Sequence, residues 1–150
     1  ARRTKLAAGE ADYLKEHWEL LLDLRKALRT ERKVRLAVLY GSVARGHEDG
    51  GSDLDFLVVF SDDEPLLTTG LAARLGRVGS RDADVARLSR IEKSAPLLLD
   101  RVLDEGRVLV DRDGIWAELK ERRRAIRARA KRSYRRQMNE AAQAIEELTA

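Results

Sequence analysis

The chain has 150 residues, 43% of them hydrophobic and 5% aromatic, which suits one globular domain with a core of Leu, Val, Ile and Ala. It contains no cysteine, which excludes disulfides and thiolate metal sites and favours a cytoplasmic location, and no apolar run approaches the ~20 residues of a membrane span. The net charge is +4, but residues 120–136 hold ten Lys or Arg and one Glu, so the rest of the chain is mildly acidic.

Helices and strands are expected to alternate along the chain. The N-terminus is basic and lacks the apolar stretch of a secretory signal, and the chain begins with Ala, as a fragment or a processed protein does. Residues 10–33 predict an amphipathic helix, and its apolar face carries Leu14, Trp18, Leu21, either Leu24 or Arg25, and Leu28. A strand is then expected over 34–40, a short helix from Ser42, a loop over 47–52 and a strand over 53–60.

The second half of the chain continues this alternation. The expected elements are a helix over 64–76, a strand over 82–88, a helix over 94–106, a strand over 107–111 and one long helix from Ile115 to the end. The order predicts an α/β or α+β fold with a small mixed sheet flanked by helices. It divides into an N-terminal helical segment (1–33), a core (34–114) and a long basic amphipathic C-terminal helix (115–150).

Two carboxylates open the second strand. Asp53 and Asp55 are two residues apart, so both side chains point to the same face of the strand while Leu54 enters the core. Two like charges this close favour a bridging cation, and Mg²⁺ prefers one or two carboxylates together with phosphate oxygens and water. The alternative is an Asp pair that caps a turn.

A Gly-Ser turn ends the first strand. Gly41 lets backbone N–H groups approach a ligand closely, and a helix that begins at Ser42 would direct its N-terminus at an anion. The dipeptide alone is ordinary turn chemistry. Together with Asp53 and Asp55, however, it places a phosphate-binding turn beside a divalent-metal pair.

This compound pattern resembles the minimal nucleotidyltransferases of the DNA polymerase β superfamily, in which "GSxARG" precedes "SDLDhhV", where h is an apolar residue. The residues that carry the resemblance are Gly41, Ser42, Ala44, Arg45, Gly46, Ser52, Asp53 and Asp55. The similarity covers residues 34–114 and implies the fold of that superfamily.

The resemblance also implies roles for individual residues. Asp53 and Asp55 would hold Mg²⁺, two ions in all, that bridge the triphosphate of ATP or another nucleotide, and Gly41 and Ser42 would hold the β- and γ-phosphates. A third carboxylate on a neighbouring strand would bind the second ion and help to deprotonate the attacking hydroxyl; Asp84 fits that pattern, with Asp82 as the alternative. Arg45 and Ser52 would complete the nucleotide site, although a solvated surface role for Arg45 remains open.

The C-terminal helix carries an apolar stripe at steps of three, four and seven residues. Its members are Ile115, Leu119, Ile126, Ala130, Tyr134, Met138, Ala141, Ile145 and Leu148. The stripe predicts packing along the whole helix, against the core or another subunit. Three interpretations of the 120–136 arginines stay open: a solvated surface, a nucleic-acid site, or a surface for an acidic partner or the substrate.

The expected function is Mg²⁺-dependent transfer of a nucleoside monophosphate, AMP from ATP first among them, to a hydroxyl of a protein or small-molecule acceptor. Minimal members of the family often act as the antitoxin of a toxin–antitoxin pair, which implies a toxin-like protein partner or a homo-oligomer. The rival hypothesis is a non-catalytic nucleotide- or nucleic-acid-binding regulator that keeps the fold.

Overall fold

A four-stranded mixed sheet with helices on both faces forms the body of the protein. The structure is a computed structural model and describes residues 9–47 and 51–150. The strands are β1 (Val34–Tyr40), β2 (Leu54–Phe60), β3 (Ala83–Arg87) and β4 (Arg107–Asp111), in the spatial order β3-β2-β1-β4. β1 pairs antiparallel with β2 and with β4, whereas β2 and β3 are parallel. The expected fold class is confirmed.

Seven helices lie between and beyond these strands in the described residues. They are α1 (Glu10–Thr30), α2 (Ser42–Arg45), α3 (Leu66–Gly79), α4 (Leu88–Ser94), α5 (Pro96–Glu105), α6 (Ile115–Glu121) and α7 (Arg123–Thr149). None of the helices in residues 9–47 and 51–150 is both long enough and apolar enough to cross a bilayer.

Successive side chains of β2 point to opposite faces of the sheet, so the core is divided into two clusters. Leu54, Phe56 and Val58 point to one face and pack with α1 and α3, chiefly against Leu24 and Leu75. On the other face, Leu57 lies with β1 side chains and with residues from α4, α5, α6 and α7. Both faces are therefore covered, which explains the near-continuous hydrophobic sequence of β1 and β2.

The structure corrects two details of the predicted elements. α1 buries Leu28 as expected and Leu24 rather than Arg25, but Tyr13 and His17 are buried in place of Trp18, whose side chain is 58% exposed. The helix expected over 94–106 is present as α5, but a further helix that was not expected, α4, begins at Leu88, where the third strand was expected to end. Part of the expected 47–52 loop, residues 48–50, lies outside the described residues.

The C-terminal helix differs most from the prediction. It is broken at Arg122, where α6 ends and α7 begins, instead of running uninterrupted from Ile115. α7 packs on α5 through Ile126, Ala130 and Ser133. From Tyr134 onward every residue is exposed, so the stripe packs within this chain over only its first half.

Candidate active site

One row of side chains crosses three strands at the end of the sheet. Asp55 on β2 stands opposite Tyr40 on β1 and opposite Asp84 on β3. Paired residues in adjacent strands place their side chains on the same face, so the two carboxylates and the phenol are neighbours. The two carboxylates come from strands almost thirty positions apart in the chain, and only the parallel pairing of β2 with β3 brings them together.

Two further aspartates precede these strands. Asp53 lies immediately before β2 and Asp82 immediately before β3, and both side chains are exposed. The carbonyl of Asp82 accepts a 2.9 Å hydrogen bond from the backbone N–H of Leu54, which aligns the two strand entries. Asp55 is the half-buried member of the group, between the exposed Asp53 and Asp84.

The electrostatics of this group centre on Asp55. Burial raises the pKa of its carboxyl, the negative charges of Asp84 and Asp53 raise it further, and Arg45 opposes them. The pKa of Tyr40 is raised by burial and then by Asp55 and Asp84. The site thus concentrates negative charge that its own cations do not neutralise, which is a pattern typical of functional sites.

The Gly-Ser turn lies directly against this charge. Gly41 has φ of 83° in the left-handed region, and a Cβ at this residue would overlap the carboxylate of Asp55. Only glycine combines that backbone conformation with so close an approach. The turn and the carboxylate therefore form one continuous surface.

Two residues from distant elements hold the short helix α2 behind this turn. The hydroxyl of Tyr13 on α1 donates a 2.9 Å hydrogen bond to the carbonyl of Val43, and Nε of Arg107 on β4 donates one of 2.8 Å to the carbonyl of Ala44. The guanidinium of Arg107 also lies 3.4 Å from the centroid of the Tyr13 ring and forms a 2.6 Å ion pair with Glu10. We call Tyr13 and Arg107 the α2 clamp.

The comparisons with known proteins agree with this geometry. Residues 23–115 match the family model described as "Polymerase beta, Nucleotidyltransferase". The chain belongs to the polymerase beta nucleotidyltransferase family. It is therefore a nucleotidyltransferase.

A curated relative and several solved structures resemble this nucleotidyltransferase. It is 37% identical over 73 residues to the Methanocaldococcus jannaschii protein named "Putative protein adenylyltransferase MJ0435", a match that covers 48% of this chain and 75% of the relative. A toxin–antitoxin crystal structure with AMP-PNP has a chain that superimposes with a TM-score of 0.57 at 21% identity, covering 87% of this chain and 98% of that one.

A second solved structure contains a tri-AMPylated Shewanella oneidensis HEPN toxin in complex with its MNT antitoxin. The match has a TM-score of 0.51 and 20% identity and covers 87% of this chain and 99% of the other. The structural neighbours are MNT antitoxins, and at this level of identity the likeness concerns the fold.

The remaining predicted site residues lie around the carboxylates of the nucleotidyltransferase. Arg45 is exposed and forms a 3.0 Å ion pair with Glu105, yet it is close enough to Asp55 to affect its pKa. Ser52 is half-buried immediately before Asp53, and His47 is exposed.

An open pocket of about 740 Å³ borders the carboxylates on the β3 side. Asp53, Asp82 and Asp84 form one wall, and α3 forms the other with small side chains and Arg77. Arg81 also lines it, and its Nη1 atom is buried without a hydrogen-bond partner in the part of the chain that the structure describes.

The donor set fits a hard cation. Carboxylate oxygens are the ligands of Mg²⁺, and Asp55, whose pKa is raised by burial and then by the negative charges of Asp84 and Asp53, stands beside carboxylates that such an ion would neutralise. Within residues 9–47 and 51–150, no three Asp, Glu or His side chains enclose an ion by themselves. Mg²⁺ usually keeps water and phosphate oxygens beside one or two carboxylates, so a closed protein cage is not required.

The sequence did not identify Tyr40, Tyr13 or Arg107 as residues of the site. Tyr40 could have been identified as a neighbour of the site, because it directly precedes the Gly-Ser motif at the end of β1. No local signal identifies the α2 clamp, since its two residues are 94 positions apart and meet only in the folded chain.

Proposed function

We propose that this nucleotidyltransferase transfers AMP from ATP to a hydroxyl of a protein acceptor, and that it acts as the antitoxin of a toxin–antitoxin pair. The observation that carries the proposal is the position of the Asp55 carboxylate, which lies between the Gly41 turn and Asp84. That arrangement offers a place for phosphate oxygens on one side of Asp55 and for an attacking hydroxyl on the other.

The carboxylates have distinct roles in this proposal. Asp53, Asp55 and Asp84 would hold Mg²⁺, two ions in all. When bound, the metal neutralises phosphate charge and stabilises the attacking and leaving oxygens of an in-line displacement. Asp55 contributes the most to this site because it is the half-buried carboxylate next to both others.

The Gly41–Ser42 turn orients the triphosphate. Backbone N–H groups of the turn and the Ser42 hydroxyl donate to the β- and γ-phosphate oxygens, and Ser52 and Arg45 approach from the rim. Arg45 would exchange its exposed ion pair with Glu105 for a phosphate contact, which is inexpensive at a surface. The pyrophosphate leaving group thus lies over β1.

The attack then comes from the β3 side. In an in-line displacement the acceptor oxygen forms its bond to the α-phosphorus opposite the bond to the pyrophosphate oxygen that breaks. Asp84 stands on that side and receives the hydroxyl proton, while the pyrophosphate departs with the electron pair of the broken bond. The pocket beside Asp84 is open to solvent and can admit a side chain of another protein.

A protein acceptor is supported by two relatives. The name of the Methanocaldococcus relative describes protein adenylylation, and the Shewanella complex contains an AMPylated toxin beside its antitoxin.

Thermal unfolding with and without Mg²⁺ and each of ATP, GTP, CTP and UTP tests the nucleotide site. A ligand at ~100 times its Kd adds about 2.7 kcal/mol to the unfolding free energy, which raises Tm by roughly 5–10 °C in a chain of this size. We expect a Mg²⁺-dependent increase with ATP that is absent in Asp53→Ala/Asp55→Ala. An increase without Mg²⁺, or one that survives in the double variant, would contradict the site.

Label transfer from [α-³²P]ATP to the products of adjacent genes tests the reaction itself. Asp84→Ala should abolish labelling and keep the fold. If the Asp53→Ala, Asp55→Ala and Asp84→Ala variants instead all retain the full biological effect of the parent, the rival hypothesis of a non-catalytic regulator would replace the proposal.

A further inference from the structure

The exposed half of α7 carries an apolar strip that none of the residues in 9–47 and 51–150 covers. Its side chains are exposed by 53% at Tyr134, 48% at Met138, 62% at Ile145 and 85% at Leu148. They recur at steps of four, seven and three residues, with Ala141 between Met138 and Ile145, so they lie on one side of the helix. We call residues 134–148 the arm.

A groove lies at the base of the arm, where α7 passes the N-terminal end of α5. It has a volume of about 610 Å³, and Leu97, Ala130, Tyr134 and Met138 supply its apolar lining. Leu97 is itself 37% exposed, so the groove continues the apolar strip onto the body of the protein. Exposed apolar surface of a few hundred Å² that is continuous in this way marks an interaction site.

The spacing of the strip is symmetric about a point between Asn139 and Glu140. In an antiparallel pair of arms centred there, Tyr134 meets Ile145 of the second copy, and Met138 meets Ala141, which matches a long side chain with a small one. Leu148 falls opposite Lys131, at the groove beside Leu97. Each copy therefore offers a groove and an apolar helix end to fill the groove of the other.

The distribution of charged residues along α7 also favours the antiparallel orientation. The base of α7 carries Lys131, Arg132, Arg135 and Arg136, whereas the outer part of the arm carries Glu140, Glu146 and Glu147. An antiparallel pair places the acidic end of one arm beside the basic base of the other. A parallel pair would place base against base, where like charges repel.

We propose that the arm is a self-association surface, through which two copies of this chain form an antiparallel, two-fold dimer. A two-fold contact uses the same surface of both copies and closes on itself. Two strips of this size bury on the order of 1,000 Å², at the lower limit for a specific interface, so we expect a dimer that dissociates on dilution. The proposal does not depend on the transfer reaction.

The oligomeric state of the parent and of two matched variants tests the proposal. Ile145→Glu adds a charge on the strip, and Gln143→Glu adds the same charge two residues away on the opposite side of the helix. By light scattering across the micromolar range, the parent and Gln143→Glu should reach twice the monomer mass, and Ile145→Glu should stay monomeric with unchanged helix content by circular dichroism. A monomeric parent, or an Ile145→Glu variant that still dimerises, would overturn it.

Disulfide trapping tests the orientation, because the chain has no cysteine of its own. A mixture of Tyr134→Cys and Ile145→Cys should form a disulfide-linked dimer under mild oxidation, and each variant alone should not. Linkage within the Tyr134→Cys variant alone would indicate parallel arms and overturn the antiparallel arrangement. A parent that is monomeric alone and pairs only with a different protein would overturn self-association.

Discussion

The carboxylate of Asp55 lies against the α-carbon of Gly41, so closely that a methyl group on Gly41 would overlap a carboxylate oxygen. The contact joins the end of β1 to the beginning of β2 and makes the turn and the acidic group depend on each other. A substitution at either residue is therefore expected to change the position of the other.

Gly41→Ala is expected to weaken nucleotide binding as well as the fold. An L-residue at φ 83° and ψ −161°, a region that is almost confined to glycine, costs about 1–3 kcal/mol, and here the added methyl also displaces Asp55. Gly114→Ala is the control for a positive φ without a contact, because Gly114 has φ of 70° and no atom within 4 Å of its added Cβ. Urea unfolding should show a larger loss for Gly41→Ala, and only this variant should lose the Tm increase with Mg²⁺-ATP. Equal behaviour of the two variants would show that the contact has no role.

Asp55→Asn is expected to raise Tm in the absence of ligand and to abolish transfer. Burial, Asp84 and Asp53 raise the pKa of Asp55 in the folded protein, so its ionised form is disfavoured there. The free energy of unfolding therefore falls as the pH rises from the pKa of Asp55 in the unfolded chain through its raised pKa in the folded protein. The amide of the variant does not ionise, so the variant does not lose this stability. The gain in Tm should be present at neutral pH and vanish in strong acid.

Asp62→Asn removes a carboxylate whose pKa is lowered rather than raised in the folded protein, so the opposite change in Tm is expected. Hydrogen bonds from the backbone of Glu64 and from Lys33 lower the pKa of Asp62, so its ionised form contributes stability that is lost as the pH falls through the folded pKa. This substitution should lower Tm slightly at neutral pH. If both variants changed Tm in the same direction, the charge at Asp55 would not be the cause.

Tyr13→Phe is expected to loosen α2 and so weaken nucleotide binding. The hydroxyl of Tyr13 satisfies the buried carbonyl of Val43, and loss of one such bond costs about 1 kcal/mol. Tyr134→Phe removes the same atom from a side chain on α7, outside the α2 clamp, and should leave nucleotide affinity unchanged. Isothermal titration with ATP and Mg²⁺ compares the two variants. An unchanged affinity in Tyr13→Phe would show that the clamp supports only the fold.

The central strands and the acidic motif could be predicted from the sequence because their signals are local. β1 and β4 have the expected bounds, and β2 begins one residue later than expected, at Leu54. The position of Asp84 opposite Asp55 also agrees with the pattern of the third strand. The assignment of metal and nucleotide roles to these residues stays a prediction.

The helical parts were harder because their burial is decided by tertiary contacts. Trp18 and His17 are neighbours on α1, and the hydrophobic pattern favoured Trp18, yet His17 is buried because it stacks on Tyr13 with 4.1 Å between ring centroids. Which arginines of the 120–136 segment form ion pairs could not be predicted from the sequence either. Arg122, Arg123 and Arg127 pair with Glu92, Asp104 and Asp100 in the folded chain. A nucleic-acid role for the 120–136 segment remains untested.

The α2 clamp has a consequence for how small a working fragment of this protein can be. The family match covers residues 23–115 and so includes Arg107 but excludes Tyr13. A fragment cut to the bounds of that match would keep every motif residue, from Gly41 to Asp84, and lose the hydroxyl that holds the carbonyl of Val43. The smallest unit that binds nucleotide in full should therefore extend to the beginning of α1, well outside the stretch by which the family is recognised.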